Sequence, residues 1–366
     1  MKSPSPKKLF IEKCVVDLPI TRQIVDKLPE VPIEYIDDYR NIDIIGDTVN
    51  GIFRESKECL AIAEKRGRMV KQFRCRDGIR GCTEYNIIHG NNCSFDCEYC
   101  FLQSYLGNAV PTVFVNHDEM LREIRDVILA SGNKKTLFHA GELCDALGFD
   151  DLTGLSRRLV LLFSEFSQAR LELRTKTTII ENLLDVSIKK KIGTANVVVS
   201  WTFTPQASID LYEHKTPSIE ERIDAAAKVQ EAGYFIGLCL DPIIRCDGWF
   251  KKYDIMITRL FSRLDHKRIK FVSLGGFRFL PSLSNVIRER NPDTDILLGE
   301  FVPCVDGKYR YFRPLRVEIY RKLWNLIRQK LNDDKISLCM ESHEVWREVG
   351  AGENTRFRLP DLTDSA

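Results

Sequence analysis

The sequence lacks any stretch that could cross a membrane, because none of its apolar runs reaches 18 residues. Its first residues include lysines but no long apolar segment, so we expect no secretory signal and a cytoplasmic protein. An excess of one charge is also missing, since 54 Lys and Arg against 52 Asp and Glu leave a net charge of +2. This balance excludes a global attraction to nucleic acid, and any basic surface has to be local.

Internal repeats and low-complexity tracts are absent as well, whereas cysteine is abundant, with twelve in 366 residues. A secreted disulfide scaffold would be shorter and would carry a signal peptide. Cytosolic thiols, some of which bind metal, fit the composition better. Cys239 and Cys339 lie within apolar runs, so we predict that both are buried as small hydrophobic residues.

Six strand-like segments, each followed by a predicted helix, succeed one another in the middle of the chain. The predicted strands are 84–90, 135–141, 171–176, 196–202, 234–241 and 269–276. This alternation predicts a parallel sheet with right-handed crossovers. Six units are too few for an eight-fold barrel. We therefore predict an α/β fold with an open, partial (β/α)6 barrel, whose active site lies at the C-terminal ends of the strands.

Extensions are predicted on both sides of this barrel. Residues 1–80 are expected to form a helical N-terminal extension, in which ESKECLAIAEKRGRMVKQF (55–73) is a helix candidate. The barrel then occupies 81–300. Residues 301–366 form a C-terminal extension, where the D-G pair in VDGKYRYF predicts a hairpin before a final helix and a short strand.

The motif CSFDCEYC places Cys93, Cys97 and Cys100 at C-x3-C-x2-C spacing, directly after the first predicted strand. This spacing differs from the paired C-x2-C spacing that is typical of structural zinc. Thiolates also hold [4Fe–4S] clusters, and three of them would leave one of the four irons open to another ligand. The alternatives are three thiols without metal, or a zinc site completed by Cys75, Cys82 or His89.

The C-x3-C-x2-C motif resembles the signature of radical S-adenosylmethionine (SAM) enzymes. CEYCFLQSYLGN, LELRTKTTIIENLL and VVVSWTFTP are similar to segments of the spore photoproduct lyases, and the likeness covers about residues 80–330. The resemblance implies a [4Fe–4S] cluster on the three cysteines and SAM on the open iron. A 5′-deoxyadenosyl radical would then abstract hydrogen from the substrate, which in that family is a UV-induced thymine dimer.

The resemblance also implies a set of SAM contacts. AGELCD is similar to the GGE motif of radical SAM enzymes, which places Gly141 and Glu142 near the amino group of SAM. Lys176 matches a lysine that contacts the SAM carboxylate, and Ser200 matches a serine that also reaches SAM. Tyr99 matches an aromatic residue near the adenine.

Two positions depart from the pattern of that family. The hydrogen-donating cysteine of the lyases aligns with Glu142, and Cys144 lies two residues later. Phe101 replaces a second tyrosine that is implicated in returning the hydrogen, and it has no O–H group to give. Cys144 and Tyr99 are therefore the candidate catalytic residues. Cys144 is either a displaced hydrogen donor or an ordinary thiol at a strand end.

The segment GKYRYFRPLR (307–316) interleaves cations with aromatic rings, which suits phosphate neutralisation and base stacking. It corresponds to a basic, aromatic hairpin that opens the DNA lesion in the family. The alternative is a strand with solvated charges and packed rings. The candidate nucleic-acid contacts are Lys308, Arg310, Tyr311 and Arg313.

Three functions follow from these features. The first is a radical SAM enzyme that acts on a damaged or modified nucleotide in DNA, with an external electron donor such as flavodoxin or ferredoxin. The second keeps the radical chemistry but acts on a peptide, a protein or a small metabolite, and the loss of the tyrosine at Phe101 favours it. The third is a non-catalytic, zinc-bearing protein that binds nucleic acid.

Overall fold

The computed structural model describes residues 3, 5–73, 79, 84–186 and 194–350. The strands, numbered along the chain, are β1 (Lys8–Glu12), β2 (Ile33–Ile36), β3 (Cys59–Ala63), β4 (Val70–Phe73), β5 (Glu84–Ile87), β6 (Gly90–Asn91), β7 (Asp96–Cys97), β8 (Thr112–Phe114), β9 (Thr136–Ala140), β10 (Ala169–Thr175), β11 (Val197–Thr202), β12 (Glu213–His214), β13 (Phe235–Ile243), β14 (Ile269–Gly276), β15 (Arg278–Phe279), β16 (Phe301–Pro303), β17 (Tyr309–Tyr311) and β18 (Ile336–Leu338).

The α-helices complete the described elements. They are α1 (Pro19–Lys27), α2 (Val49–Ser56), α3 (Leu102–Tyr105), α4 (His117–Ala130), α5 (Asp150–Thr153), α6 (Leu155–Ser164), α7 (Glu181–Leu184), α8 (Gln206–Tyr212), α9 (Ile219–Glu231), α10 (Trp249–Arg263), α11 (Pro281–Arg290), α12 (Arg313–Ile327) and α13 (His343–Val349). None of the helices in these ranges is long and apolar enough to span a membrane.

The largest sheet has eight strands in the order β18-β14-β13-β11-β10-β9-β5-β4. Its six central strands are the six predicted from the sequence, and neighbouring strands among them pair in parallel. β18 extends the sheet in parallel at one edge, and β4 pairs antiparallel with β5 at the other. The predicted open, partial barrel is confirmed, with one further strand at each edge.

Side-chain alternation decides which face of the sheet meets the helices. On β10, Leu171 and Leu173 are fully buried in the main core, while Arg174 points to the other face and lines a cleft. All six residues of β11 are buried, as expected for a central parallel strand that is covered on both faces. The expected burial of Cys239 and Cys339 is confirmed, with 2% and 6% exposure.

Helix α9 shows how local sequence sets an element's ends. The Ser218 hydroxyl accepts a hydrogen bond from the Glu221 amide, and the Glu221 carboxylate accepts one from the Ser218 amide, which forms a capping box. Gly233 follows the helix with φ of 99°, the left-handed conformation that favours glycine. Residues close together in the chain therefore define both ends of this helix.

A second sheet, in the order β2-β1-β3-β8-β6, covers the N-terminal side. The helix predicted over 55–73 is wrong, because α2 ends at Ser56 and the chain continues into β3 and β4. All five residues of β3 are buried between the parallel strands β1 and β8, and this position suits the apolar run CLAIA. The strand pairing crosses the predicted boundary at residue 80, and the domain bounds stay a prediction.

The C-terminal extension adds a small antiparallel sheet, β15-β17-β16, beside the barrel. The predicted hairpin is present, with Gly307 at φ of 80° in the turn between β16 and β17. Helix α12 and strand β18 follow it, as the sequence predicts. The last part of the predicted extension, residues 351–366, lies outside the described residues.

A substitution at Gly237 on β13 tests how tightly the interior of the barrel is packed. An added Cβ would lie 2.5 Å from Cζ of Phe271 and 2.8 Å from Cβ of Ser200. We expect Gly237→Ala to lower the free energy of unfolding by about 1–3 kcal/mol through overpacking. Gly107→Ala is the matched control, because a Cβ there meets nothing within 4 Å. Equal denaturation midpoints for the two variants would contradict the described interior.

Candidate active site

The C-terminal ends of the barrel strands surround a cleft of about 380 Å³. This is the edge at which parallel α/β sheets place their chemistry. Most of the residues that the sequence singled out line this one cleft. They are Cys93, Cys97, Tyr99, Cys100, Gly141, Glu142, Cys144, Lys176 and Lys308.

Contacts from distant elements hold the cysteine loop at the mouth of the barrel. β7 pairs antiparallel with β12, so that Cys97 lies opposite Glu213. Arg290 donates from Nη2 to the Asp96 carboxylate over 2.8 Å. Lys57 donates from Nζ to the backbone oxygen of Cys93 over 2.6 Å. The loop is therefore fixed from both sides of the cleft.

The three thiols fit a [4Fe–4S] cluster. None of them is in a disulfide. Burial raises the pKa of Cys93 to about 12 and also raises that of Cys97, so both stay protonated until a metal displaces the proton. In the described part of the chain, no three His, Cys, Asp or Glu side chains converge as for one metal ion. A cluster does not require such convergence, because each cysteine binds a different iron.

Glu213 lies next to the cysteine loop and accepts hydrogen bonds from several side chains. Its carboxylate accepts hydrogen bonds from the Tyr99 hydroxyl, from Thr204 Oγ1 over 2.7 Å and from Arg222 Nη2 over 2.5 Å. Burial alone would raise the pKa of Glu213, but Lys176 and Arg222 outweigh it and lower the pKa to about 2. The sequence analysis missed Glu213, which belongs to no motif and is identified only by these contacts.

Lys176 and Tyr99 meet above this carboxylate. Nζ of Lys176 lies 4.0 Å from Oε1 of Glu213 and 5.2 Å from the centre of the Tyr99 ring. Both side chains face the cleft. The structure thus brings together two predicted SAM contacts that are 77 residues apart in the chain (176 − 99).

The turn after β9 passes close to the end of β10. Gly141 has φ of 109°, and a Cβ there would lie 2.7 Å from the backbone oxygen of Arg174. Glycine at this position is therefore required by the close approach of the two chain segments. Asp145 fastens the same turn, since its carboxylate accepts from Thr175 Oγ1 over 2.6 Å and from the Lys176 amide over 2.8 Å.

Ser200 lies below the cleft and does not line it. Its side chain is fully buried and donates to Oε1 of Glu172 over 2.7 Å. His139 is also buried there, with Nε2 4.0 Å from that carboxylate. Thr202, two residues after Ser200 on β11, reaches the cleft. The contact of Ser200 with SAM stays a prediction.

The basic segment contributes less to the surface than its sequence suggests. Arg310 is 1% exposed, and its guanidinium donates to both oxygens of Asp306 over 2.6 and 2.8 Å. Tyr311 is 2% exposed, and its hydroxyl accepts from the Arg245 amide. Neither side chain is available to nucleic acid in this structure, which corrects that expectation. Lys308 lines the cleft, while Arg313 is exposed outside it and paired with Glu348.

A carboxylate and an arginine form the wall next to Lys308, and the sequence analysis missed both. Arg278 donates to Asp241 through two nitrogens, over 2.8 and 3.0 Å. Gly275 makes room for this pair, because a Cβ there would lie 2.4 Å from Cγ of Asp241. Only the Asp in YFIGLCLD and the Arg in GGFRF marked these strand ends as polar, and neither pattern is specific.

The family model described as spore photoproduct lyase matches residues 5–336. This chain belongs to the spore photoproduct lyase family. The lyase of a Geobacillus species is 27% identical over 306 residues, which cover 82% of this chain and 86% of that protein. The lyase of Bacillus subtilis is 27% identical over 304 residues, covering 81% and 85%. The predicted family is confirmed.

Solved structures of family members share the fold. A spore photoproduct lyase complexed with dinucleoside spore photoproduct is 24% identical and has a TM-score of 0.80, covering 92% of this chain and 99% of that one. With the family, the predictions of a radical SAM enzyme and of a [4Fe–4S] cluster and SAM as its cofactors are confirmed. The assignment of individual residues to these cofactors is a separate question.

Substitution of Arg222 tests how far the site depends on the buried Glu213–Arg222 ion pair. Its side chain and that of Glu213 are both fully buried. We expect Arg222→Leu to lower the free energy of unfolding by about 3–5 kcal/mol, because it leaves the Glu213 charge buried without its main partner. Denaturant unfolding of the two proteins measures the difference.

Arg263→Leu is the matched control, because Arg263 pairs with Asp224 on the surface. It should cost about 0–1 kcal/mol. Similar losses for the two variants would show that burial of the Glu213–Arg222 pair does not support the site.

Proposed function

We propose that this protein is a radical SAM lyase that repairs a UV-damaged nucleotide in DNA. The observation that carries the proposal is the single cleft shared by Cys93, Cys97 and Cys100 with Glu142 and Lys176. When bound, the cluster and SAM supply a 5′-deoxyadenosyl radical, which removes a hydrogen atom from the substrate. A family member of the same fold is complexed with dinucleoside spore photoproduct, which supports DNA damage as the substrate class.

In this proposal, the residues around the cysteine loop bind and orient SAM. Glu142 accepts hydrogen bonds from its ammonium group, and Lys176 donates to its carboxylate. Tyr99 offers a ring face to the adenine, and the Glu213 carboxylate fixes that ring through its hydroxyl. Ser200 supports the SAM site from below the cleft, where its hydroxyl donates a hydrogen bond to Glu172.

Cys144 is proposed to return a hydrogen atom to the product. It faces the cleft, and burial raises its pKa well above that of an ordinary thiol. The group is therefore protonated at neutral pH, and only the thiol form carries the hydrogen to be given. Phe101 lies at the same cleft and has no O–H to continue such a transfer.

Lys308 is proposed to contact a phosphate of the substrate. Its ammonium lies in the cleft wall, where burial lowers its pKa. Binding of a phosphate would offset the cost of that burial. Electrons are proposed to come from an external donor of the flavodoxin or ferredoxin class, in a cytoplasmic setting. The barrel over 81–300 is proposed as the domain that carries the chemistry.

A second candidate function keeps the same machinery for a peptide, a protein or a small metabolite. Phe101 favours it, because the second tyrosine of the related lyases is missing. The zinc hypothesis is not carried further, since the family shown above is a family of enzymes.

The cysteines give the first test of the proposal. Reconstituted without oxygen and given SAM and dithionite, the wild-type protein should form 5′-deoxyadenosine. Cys93→Ala, Cys97→Ala and Cys100→Ala should each abolish it, because each removes a ligand of the cluster. Cys14→Ala is the control, since Cys14 is exposed in the N-terminal part of the chain. Zinc without iron in the wild-type protein would refute the proposal.

Lys308 gives a test of the substrate. We expect Lys308→Ala to weaken binding to UV-irradiated DNA and to reduce the slope of log affinity against log salt by about 1, as for one lost phosphate contact. Arg313→Ala should leave the slope unchanged, because Arg313 lies outside the cleft and pairs with Glu348. Salt titrations of the three proteins measure this, and an unchanged slope for Lys308→Ala would remove it from the substrate site.

A further inference from the structure

Cys144 lies between the cleft and a second, much smaller cavity of about 20 Å³. This cavity, here called the rear cavity, has walls from the ends of β5 and β9, from β8 and from α4 to α6. The residues that matter for its chemistry are His89, Ser94, His117, Cys144, Asp145 and Asp150. Cys144 therefore lines both the cleft and the rear cavity.

On the rear side, the thiol meets an imidazole. Sγ of Cys144 lies 3.4 Å from Nε2 and 3.8 Å from Nδ1 of His89. Gly90 lies beside this contact, and a Cβ there would lie 2.7 Å from the backbone oxygen of Thr112, so the close pairing of β6 with β8 requires glycine. Burial lowers the pKa of His89 to about 4 and raises that of Cys144, so the pair consists of a neutral imidazole and a neutral thiol.

The rear cavity contains buried polar side chains within a largely apolar lining. His117 and Ser94 line it and are 1% and 4% exposed. Within the described residues, Nδ1 of His117 and Oγ of Ser94 have no hydrogen-bond partner. Buried polar atoms of this kind are usually satisfied by water, and a space of about 20 Å³ holds about one molecule. A water molecule there would be the proton source for His89.

We infer that His89 is a positioning residue for Cys144: it holds the sulfur in the wall of the cleft and returns the proton to it from the rear cavity. The inference rests on the proposed function, in which Cys144 donates a hydrogen atom. A rotation about the Cβ–Sγ bond swings the hydrogen from His89 toward the cleft. The sulfur itself stays in place.

The S–H bond of Cys144 breaks homolytically, a C–H bond forms on the product radical, and a thiyl radical remains. One electron from the external flavodoxin- or ferredoxin-class donor turns the thiyl into a thiolate. One proton, passed through His89, restores the thiol. A neutral imidazole can do this because one ring nitrogen accepts a proton while the other releases one.

The test uses reconstituted protein, dinucleoside spore photoproduct, SAM and dithionite as the electron donor, and counts repaired dinucleoside per 5′-deoxyadenosine. For His89→Leu we expect unchanged 5′-deoxyadenosine and a yield per 5′-deoxyadenosine reduced on the order of 100-fold, because the thiol loses its position. His89→Gln, which keeps a hydrogen-bonding group, should recover much of the yield. His343→Leu is the control, since His343 is exposed on α13 and lines neither cavity.

A spectroscopic measurement separates positioning from a merely structural role. In infrared difference spectra against Cys144→Ala, the S–H stretching band of the wild type should lie at the low frequency of a hydrogen-bonded thiol. The band should move to higher frequency in His89→Leu and less so in His89→Gln. A wild-type yield together with an unshifted band in His89→Leu would overturn the inference.

Failure of the proposed function gives different results. If the wild type forms no 5′-deoxyadenosine with this substrate, the proposed function is wrong. If Cys144→Ala keeps the wild-type yield, Cys144 is not the hydrogen donor, and the role of His89 falls with it. A loss in Cys144→Ala with none in His89→Leu or in its S–H band rejects the His89 inference alone.

Discussion

The site depends on one buried ion pair, between Glu213 and Arg222. Two buried charges stabilise a fold only when hydrogen bonds satisfy their remaining atoms. Here the guanidinium also donates to the backbone oxygens of Pro217 and Thr202, and the carboxylate accepts from Tyr99. Because the backbone of Glu213 pairs with Cys97, the same residue fixes both the cysteine loop and the ring beside it. The Glu213–Arg222 pair therefore supports both the cysteine loop and the Tyr99 ring at the cleft.

The inner face of the barrel is arranged in layers. Val198, Cys239 and Phe271 form a small apolar cluster. Glu172 and Ser200 form a buried polar pair, and Arg174 and Thr202, two residues further along the same strands, reach the cleft. Strand alternation produces this order, since every second residue faces inward. The polar groups that face the cleft therefore lie at the C-terminal ends of the strands.

The N-terminal sheet contributes residues to the rear cavity behind Cys144. β8 belongs to that sheet, yet its Thr112 and Val113 line the rear cavity behind Cys144. The cysteine loop and the proposed SAM contacts belong to the barrel. The proposed hydrogen donor instead lies where the barrel meets the second sheet. In the proposed function, the two departures in the sequence, at Cys144 and Phe101, concern the return of hydrogen and not its removal.

Local patterns were sufficient for the six central strands, the ends of α9 and the C-x3-C-x2-C motif, because each depends on residues close together in the chain. Only the tertiary structure decided the rest. Strand β3 is a strand because β1 and β8 flank it. Arg310 and Tyr311 alternate like an exposed basic strand, and their burial follows from Asp306 and from neighbouring elements. A sequence specifies which side chains are polar, whereas the packing of distant segments decides whether they face water, a ligand or each other.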